Sequence, residues 1–231
     1  MLGVPDSTRA LLFDMDGVLT KTAVVHAKAW KEAFDEFLAS RGKDNRPFDP
    51  VDDYDEYVDG KPRADGVRSF LTSRGIEYDD DLVRQIGDHK NDLVQELIRK
   101  DGVEAYEGTV RYLDAAVAAG LPRAVVSSSA NTHDVLIAAG LDGYFQAQVD
   151  GIVAAVRRLK GKPAPDTFLA AAKELGVEPA QAVVFEDALA GVEAGHAGAF
   201  GFVVGVDRVG QAEALRKHGA DIVVKDLADL L

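Results

Sequence analysis

A doubly wound parallel α/β sheet, Rossmann-like and carrying a small helical insert, is the fold this sequence predicts. Short apolar runs at 10–13, 123–127, 182–185 and 200–204 alternate with amphipathic stretches, the order of strands and crossover helices in a parallel sheet. Residues 21–100, by contrast, carry helical periods and no convincing strand. A chain of 231 residues accommodates one core with an insertion. The expected division is a core of residues 1–20 and 101–231 and an insert of 21–100.

The first run, ALLF at 10–13, is apolar at every position and suits a strand buried on both faces. Next, Ala23, His26, Ala27, Trp30, Phe34 and Phe37 fall on one helical face. Residues 41–59, dense in Asp, Pro and Tyr, read as a loop ending at Gly60. Val67, Phe70 and Leu71 predict a short helix closed near Gly75, and residues 79–100 a longer amphipathic one. Val110, Leu113, Ala116 and Val117 predict a helix stopped by Gly120. After the strand at 123–127, Asn131 is placed to cap a helix ending at Gly140. Residues 166–175 are helical, 182–185 form a strand, 192–197 a helix, 200–204 a strand and 221–224 a last short strand.

Hydrophobic residues make up 47% of the chain, enough for a sizeable core. The net charge of −13 argues against broad attraction to nucleic acid or an anionic membrane. Arg157, Arg158 and Lys160 form one short basic run, which reads as a solvated loop. The absence of cysteine excludes disulfides, thiolate nucleophiles and Cys-ligated zinc. No run has the length of a membrane span, and residues 1–9 lack the apolar core of a signal peptide. The expectation is a soluble, cytoplasmic protein.

Three predicted strands end in polar groups: Asp14 and Asp16, Ser127 and Ser128, and Glu186 and Asp187. Loops after parallel strands open at one edge of the sheet, where α/β proteins bind ligands. Asp14 and Asp16, two residues apart, point the same way if strand geometry continues. Clustered carboxylates repel, and four of them suit Mg²⁺, a hard cation that shares its oxygen ligands with phosphate. Ser127 and the backbone N–H groups after it would donate to phosphate oxygens. Lys162, in the proline-rich GKPAPD, would bring a point charge to the same place.

Taken in order, DMDGVLT, a strand ending in serine, KPAPD and FEDALAG resemble the motifs of the haloacid dehalogenase-like phosphotransferases, and the insert resembles that family's small cap. LTKTAVVHAKAW, GKPR, HKND and GKPAPD are similar, more closely, to the β-phosphoglucomutase family. The resemblance implies that Asp14 is the nucleophile, forming an aspartyl phosphate, and that Asp16 is the general acid/base. It implies Mg²⁺ held by Asp14, the backbone carbonyl of Asp16 and Asp187, with Glu186 a ligand directly or through water. Ser127, Ser128 and Lys162 would bind the transferring phosphoryl group. Arg63 would clamp the substrate's other phosphate, and His26, Trp30, Gly60, Lys90 and Asn131 would complete the substrate site. For His26 a satisfied core histidine and for Lys90 a solvated lysine are the competing readings. Two departures stand out: Lys21 occupies a position where the family commonly has an acidic residue, and Lys61-Pro62-Arg63 is a stiff spelling of its segment.

The implied activity interconverts β-glucose 1-phosphate and glucose 6-phosphate through a bisphosphate. A Mg²⁺-dependent sugar-phosphate phosphatase is the nearest alternative, and a non-catalytic sugar-phosphate sensor a more distant one. The expected partner is a small phosphorylated sugar, and the expected state a monomer.

Overall fold

The computed structural model describes residues 2–42 and 46–231; residues 43–45, within the expected loop, lie outside the described residues. Six parallel strands form one sheet in the order β3-β2-β1-β4-β5-β6, with β1 at Ala10–Phe13, β2 at Arg123–Val126, β3 at Ala147–Val149, β4 at Ala182–Glu186, β5 at Phe202–Val206 and β6 at Ile222–Val224. β1 lies between β2 and β4, so its C-terminal end opens at the middle of the sheet edge, where the strand order reverses.

Alternation along β1 explains the double winding. Leu11 and Phe13 pack on one face with Tyr112, Leu113 and Leu136, which come from α4 (Glu107–Ala118) and α5 (Thr132–Ala138). Ala10 and Leu12 pack on the other with Phe168, Ala171 and Val192, from α7 (Asp166–Glu174) and α8 (Leu189–Ala197). Every residue of β1 is fully buried, as a continuous apolar run in a two-sided sheet requires.

Between β1 and α4 come α1 (Ala23–Ser40), α2 (Arg63–Ser73) and α3 (Asp80–Asp101). They enclose a separate apolar cluster, with Trp30, Phe34, Phe48, Val67, Phe70 and Leu71 among its buried members. Phe34 and Phe70 lie at its centre, ring centroids 4.1 Å apart. The Asp79 side chain accepts from the Leu82 amide to cap α3, and Arg99 and Lys100 occupy its last turn, each charge suited to its end of the helix dipole. Among the described residues no helix is long and apolar enough to cross a membrane.

Several sequence expectations need correcting. The expected loop before Gly60 contains a π-helical turn, Tyr54–Val58. β3 and the helices α6 (Gly151–Arg157) and α9 (Ala212–His218) have no counterpart in the sequence pattern; at three to seven residues, none is long enough to display a period. β5 starts and ends two residues later than 200–204. Arg157 lies within α6, paired with Glu174, so the basic run is only partly a loop.

Candidate active site

β1 hands its chain directly into the site. Asp14 is 7% exposed, and its carboxylate accepts from the Lys162 ammonium. Lys162 also lies 2.5 Å from Glu186 Oε1 and donates to the Val126 carbonyl at 3.2 Å. Its charge therefore bridges groups carried by the ends of three neighbouring strands. Burial alone would lower the lysine's pKa, but Asp14 and Glu186 outweigh it and hold the ammonium protonated.

Asp14, Glu186 and Asp187 are buried, with carboxylate oxygens within 4.8 Å of one another. Burial pushes the Asp14 and Asp187 carboxyls up, and the neighbouring carboxylates add to the rise. One lysine does not neutralise three carboxylates. An all-oxygen donor set with excess negative charge fits a hard divalent cation, and its ligands would be Asp14, Asp187 and Glu186. Gly17 makes the approach possible: at φ +83° it lies so close that a Cβ there would fall 1.7 Å from Asp187 Oδ2.

The strand geometry on which Asp14 and Asp16 would point the same way does not continue past Phe13. β1 stops at Phe13 and the chain turns, with Asp16 bridging to Thr20. Asp16's carboxylate thus leaves the acidic cluster, accepts from the Thr22 hydroxyl and lies 3.3 Å from His26 Nε2. Burial would raise its pKa, but His26, Thr22 and Lys90 together bring it down to about 2. As a metal ligand Asp16 has only its backbone carbonyl to offer.

The insert supplies the opposite wall. Lys90 is 6% exposed rather than solvated. It lies 2.7 Å from His26 Nδ1 and 4.8 Å from the centroid of the Trp30 ring. Burial lowers its pKa to about 7, against the raising effect of Asp16. His26 is therefore no core histidine; it stands between Lys90 and Asp16. Arg63, at the first turn of α2, donates to the Gly87 carbonyl at 3.3 Å and lies 3.7 Å from Asp88. Gly60, at φ +69°, accepts from the Ser128 hydroxyl at 2.8 Å.

Ser127 is buried, its Oγ accepting from the Ser129 amide. Asn131 occupies the cap position of α5 without capping it. Its side chain instead donates to Asn91 at 3.0 Å and accepts from Gln95 at 3.3 Å, both on α3. A cavity of about 750 Å³ separates the two walls, lined by Asp14, Asp16, Ser127, Lys162, Arg63 and Lys90, with His26, Trp30, Gly60, Ser128, Asn131 and Asp187 also on its surface. Glu186 lies behind that lining, fully buried. The volume suits a small metabolite.

The sequence reading overlooked Asp59, Tyr54 and Thr22. Asp59 follows the π-helical turn, and its amide donates to the Tyr54 carbonyl at 2.9 Å. It lines the cavity, and burial together with Glu186 and Asp55 pushes its pKa up to about 7. Its sequence signal is an acidic residue immediately before Gly60-Lys61-Pro62-Arg63, masked by the Asp- and Tyr-dense composition of 41–59.

Residues 8–198 match the haloacid dehalogenase-like hydrolase family. The chain is 55% identical, over its whole length and 94% of the relative, to "Beta-phosphoglucomutase" of Mycobacterium bovis. The identity to "Beta-phosphoglucomutase" of Bacillus subtilis is 35%, covering 96% of this chain and 91% of the relative. The crystal structure of β-phosphoglucomutase from Clostridium difficile superposes with a TM-score of 0.79 at 27% identity, covering 97% and 93% of the two chains. The chain belongs to the haloacid dehalogenase-like hydrolase family and, within it, to the β-phosphoglucomutase family.

Proposed function

We propose that this enzyme interconverts β-D-glucose 1-phosphate and glucose 6-phosphate through an aspartyl phosphate and a 1,6-bisphosphate. The observation that carries the reading is the pairing of two cationic groups across one cavity: Lys162 beside the nucleophile Asp14, and Arg63 on the opposite wall. A mutase has to hold a phosphate at each end of the sugar, whereas hydrolysis needs only one end held.

Asp14 attacks the transferring phosphorus, and Lys162, Ser127 and the Ser128 amide bind the phosphoryl oxygens; position and charge neutralisation dominate such transfers. Mg²⁺, held by Asp14, Asp187, the Asp16 carbonyl and Glu186, would supply further charge neutralisation when bound. Asp16, ionised at rest, accepts the proton of the C6 hydroxyl as that oxygen takes the phosphoryl group from Asp14. After the bisphosphate reorients, Asp14 attacks the C1 phosphoryl group and Asp16 returns the same proton to the departing C1 oxygen. Over the two half-reactions the proton balances. Thr22 and His26 hold Asp16 in place, Lys90 orients His26, and Trp30, Gly60 and Asn131 contact the sugar or its distal phosphate.

The division into a core of 1–20 and 101–231 and a cap of 21–100 serves the same chemistry. Closing the cap excludes the water that would hydrolyse the aspartyl phosphate. The protein acts as a monomer, since a cap that opens leaves little room for a large contact over it.

Incubation with Mg²⁺, β-glucose 1-phosphate and a trace of the 1,6-bisphosphate tests the assignment. Glucose 6-phosphate accumulating with little inorganic phosphate is the expected result. Phosphate released without glucose 6-phosphate would make the enzyme a phosphatase.

A further inference from the structure

The loop after β5 makes no direct contribution to the mechanism above, yet it grips both loops that carry the acidic cluster. Arg208 Nε donates to the Gly17 carbonyl at 2.6 Å, and Gln211 Nε2 donates to the Asp187 carbonyl at 3.1 Å. Gly17 and Asp187 are themselves in close approach. Two side chains three residues apart thus hold, by their backbone carbonyls, the two segments whose separation sets the spacing of Asp14 and Asp187.

The loop is built to be stiff. Asp207 Oδ1 accepts from the Gly210 and Gln211 amides at 2.7 and 2.8 Å, closing a tight turn. The Arg208 guanidinium is further fixed by donating to the Lys225 carbonyl at 2.9 Å. Its Cζ lies over the Tyr106 ring, 3.5 Å from the centroid. Tyr106 in turn donates its amide to the Leu19 carbonyl at 3.1 Å, beside the bridge between Thr20 and Ala105 where the two connectors of the insert meet. A planar guanidinium can donate in its plane to two carbonyls while its face lies on a ring; a tetrahedral ammonium has no such face and reaches no such fixed fork of acceptors.

We propose that Arg208 and Gln211 are positioning residues for the metal centre, with Arg208 also tying that centre to the connectors of the insert through Tyr106. The inference rests on the metal site of the proposed function. Hydrogen-bonded groups behind metal ligands set their geometry, and losing one typically weakens metal binding by about 10–100-fold.

The test is Mn²⁺ binding without substrate, followed by electron paramagnetic resonance on the full chain, for wild type, Arg208→Lys, Gln211→Met and Tyr106→Leu. Thermal unfolding in chelator reports the metal-free fold. Arg208→Lys is expected to weaken binding about tenfold or more, with the other two showing smaller losses, and each variant's melting temperature in chelator near wild type. Tyr106→Phe keeps the stacking ring and is expected to bind as wild type does. If Arg208→Lys does not fold, Gln211→Met decides: a loss of threefold or more supports the proposal, and less overturns it. Folded Arg208→Lys binding within twofold of wild type overturns the positioning role alone. Failure of the wild type to bind Mn²⁺ removes the metal site and this inference with it.

Discussion

The two walls of the cavity are made differently. On the core side Asp14, Glu186 and Asp187 are buried at or just beyond strand ends, where the sheet registers them against one another, and the buried Lys162, from the loop between α6 and α7, is pinned between Asp14 and Glu186. On the insert side Arg63 projects from a helix start with its side chain about a third exposed, and its nearest carboxylate is 3.7 Å away. The insert meets the core through polar bonds such as Ser128 to Gly60 and Asn131 to Asn91. Breaking bonds of that kind exposes polar groups to water at little cost, whereas separating the buried charges of the core leaves one of them unpaired. The proposed chemistry thus rests on groups fixed by the sheet and by buried charge, and the proposed recognition of the substrate's far end on an element that tolerates displacement.

That contrast breaks if core and insert substitutions act alike. The largest effect is expected from Asp14→Asn, which removes the proposed nucleophile: turnover falls at least about 10⁴-fold, read by glucose 6-phosphate formation, while circular dichroism shows an intact fold. Lys162→Met is next, because it strands the carboxylates of Asp14 and Glu186. Turnover is lost and stability falls by about 3–5 kcal/mol, measured by urea unfolding in chelator; a loss under about 1 kcal/mol would mean the carboxylates find another partner.

On the insert side, Arg63→Ala is expected to lower mutase kcat/KM about 100-fold. Phosphorylation of Asp14 by acetyl phosphate should stay within a few-fold of wild type, as should the melting temperature. Mutase flux that survives intact would remove Arg63 from the distal clamp.

Lys90 sharpens the comparison through pH. Its folded pKa of about 7 lies below the unfolded value near 10.4, so between those limits the unfolded chain binds more protons and this group's contribution to stability rises with pH. Below pH 7 the cost of burying the ammonium is complete. Lys90→Met should therefore raise the melting temperature more at pH 6 than at pH 9, with catalysis impaired at both; equal shifts would place an uncharged amine at this site throughout. The smallest effect is expected from Lys21→Ala. Lys21 pairs at 2.7 Å with Glu104 on the other connector, and both side chains are largely solvent-exposed. Water screens such a pair, so unfolding and turnover should change within error. The departure at this hinge position is met by a local ion pair.

The sequence by itself determined the parallel sheet, the run of helices between β1 and α4, and which strand ends carry polar groups. β1 is apolar throughout, and β2 and β4 are apolar but for Arg123 at the start of one and Glu186 at the end of the other; parallel topology delivers their C-terminal ends to one edge. Its spacing left undecided what depends on where the chain turns. Asp16 leaves the carboxylate cluster because β1 ends at Phe13, and Lys90 is buried because α3 packs against α1. Asn131 turns to α3 instead of capping its own helix. β3, α6, α9 and the π-helical turn that presents Asp59 are too short to show a period. Their positions follow from what packs on them, and only the tertiary structure supplies that: local pattern sets which face is apolar, while the partner across the gap is chosen by contacts between residues far apart in the chain.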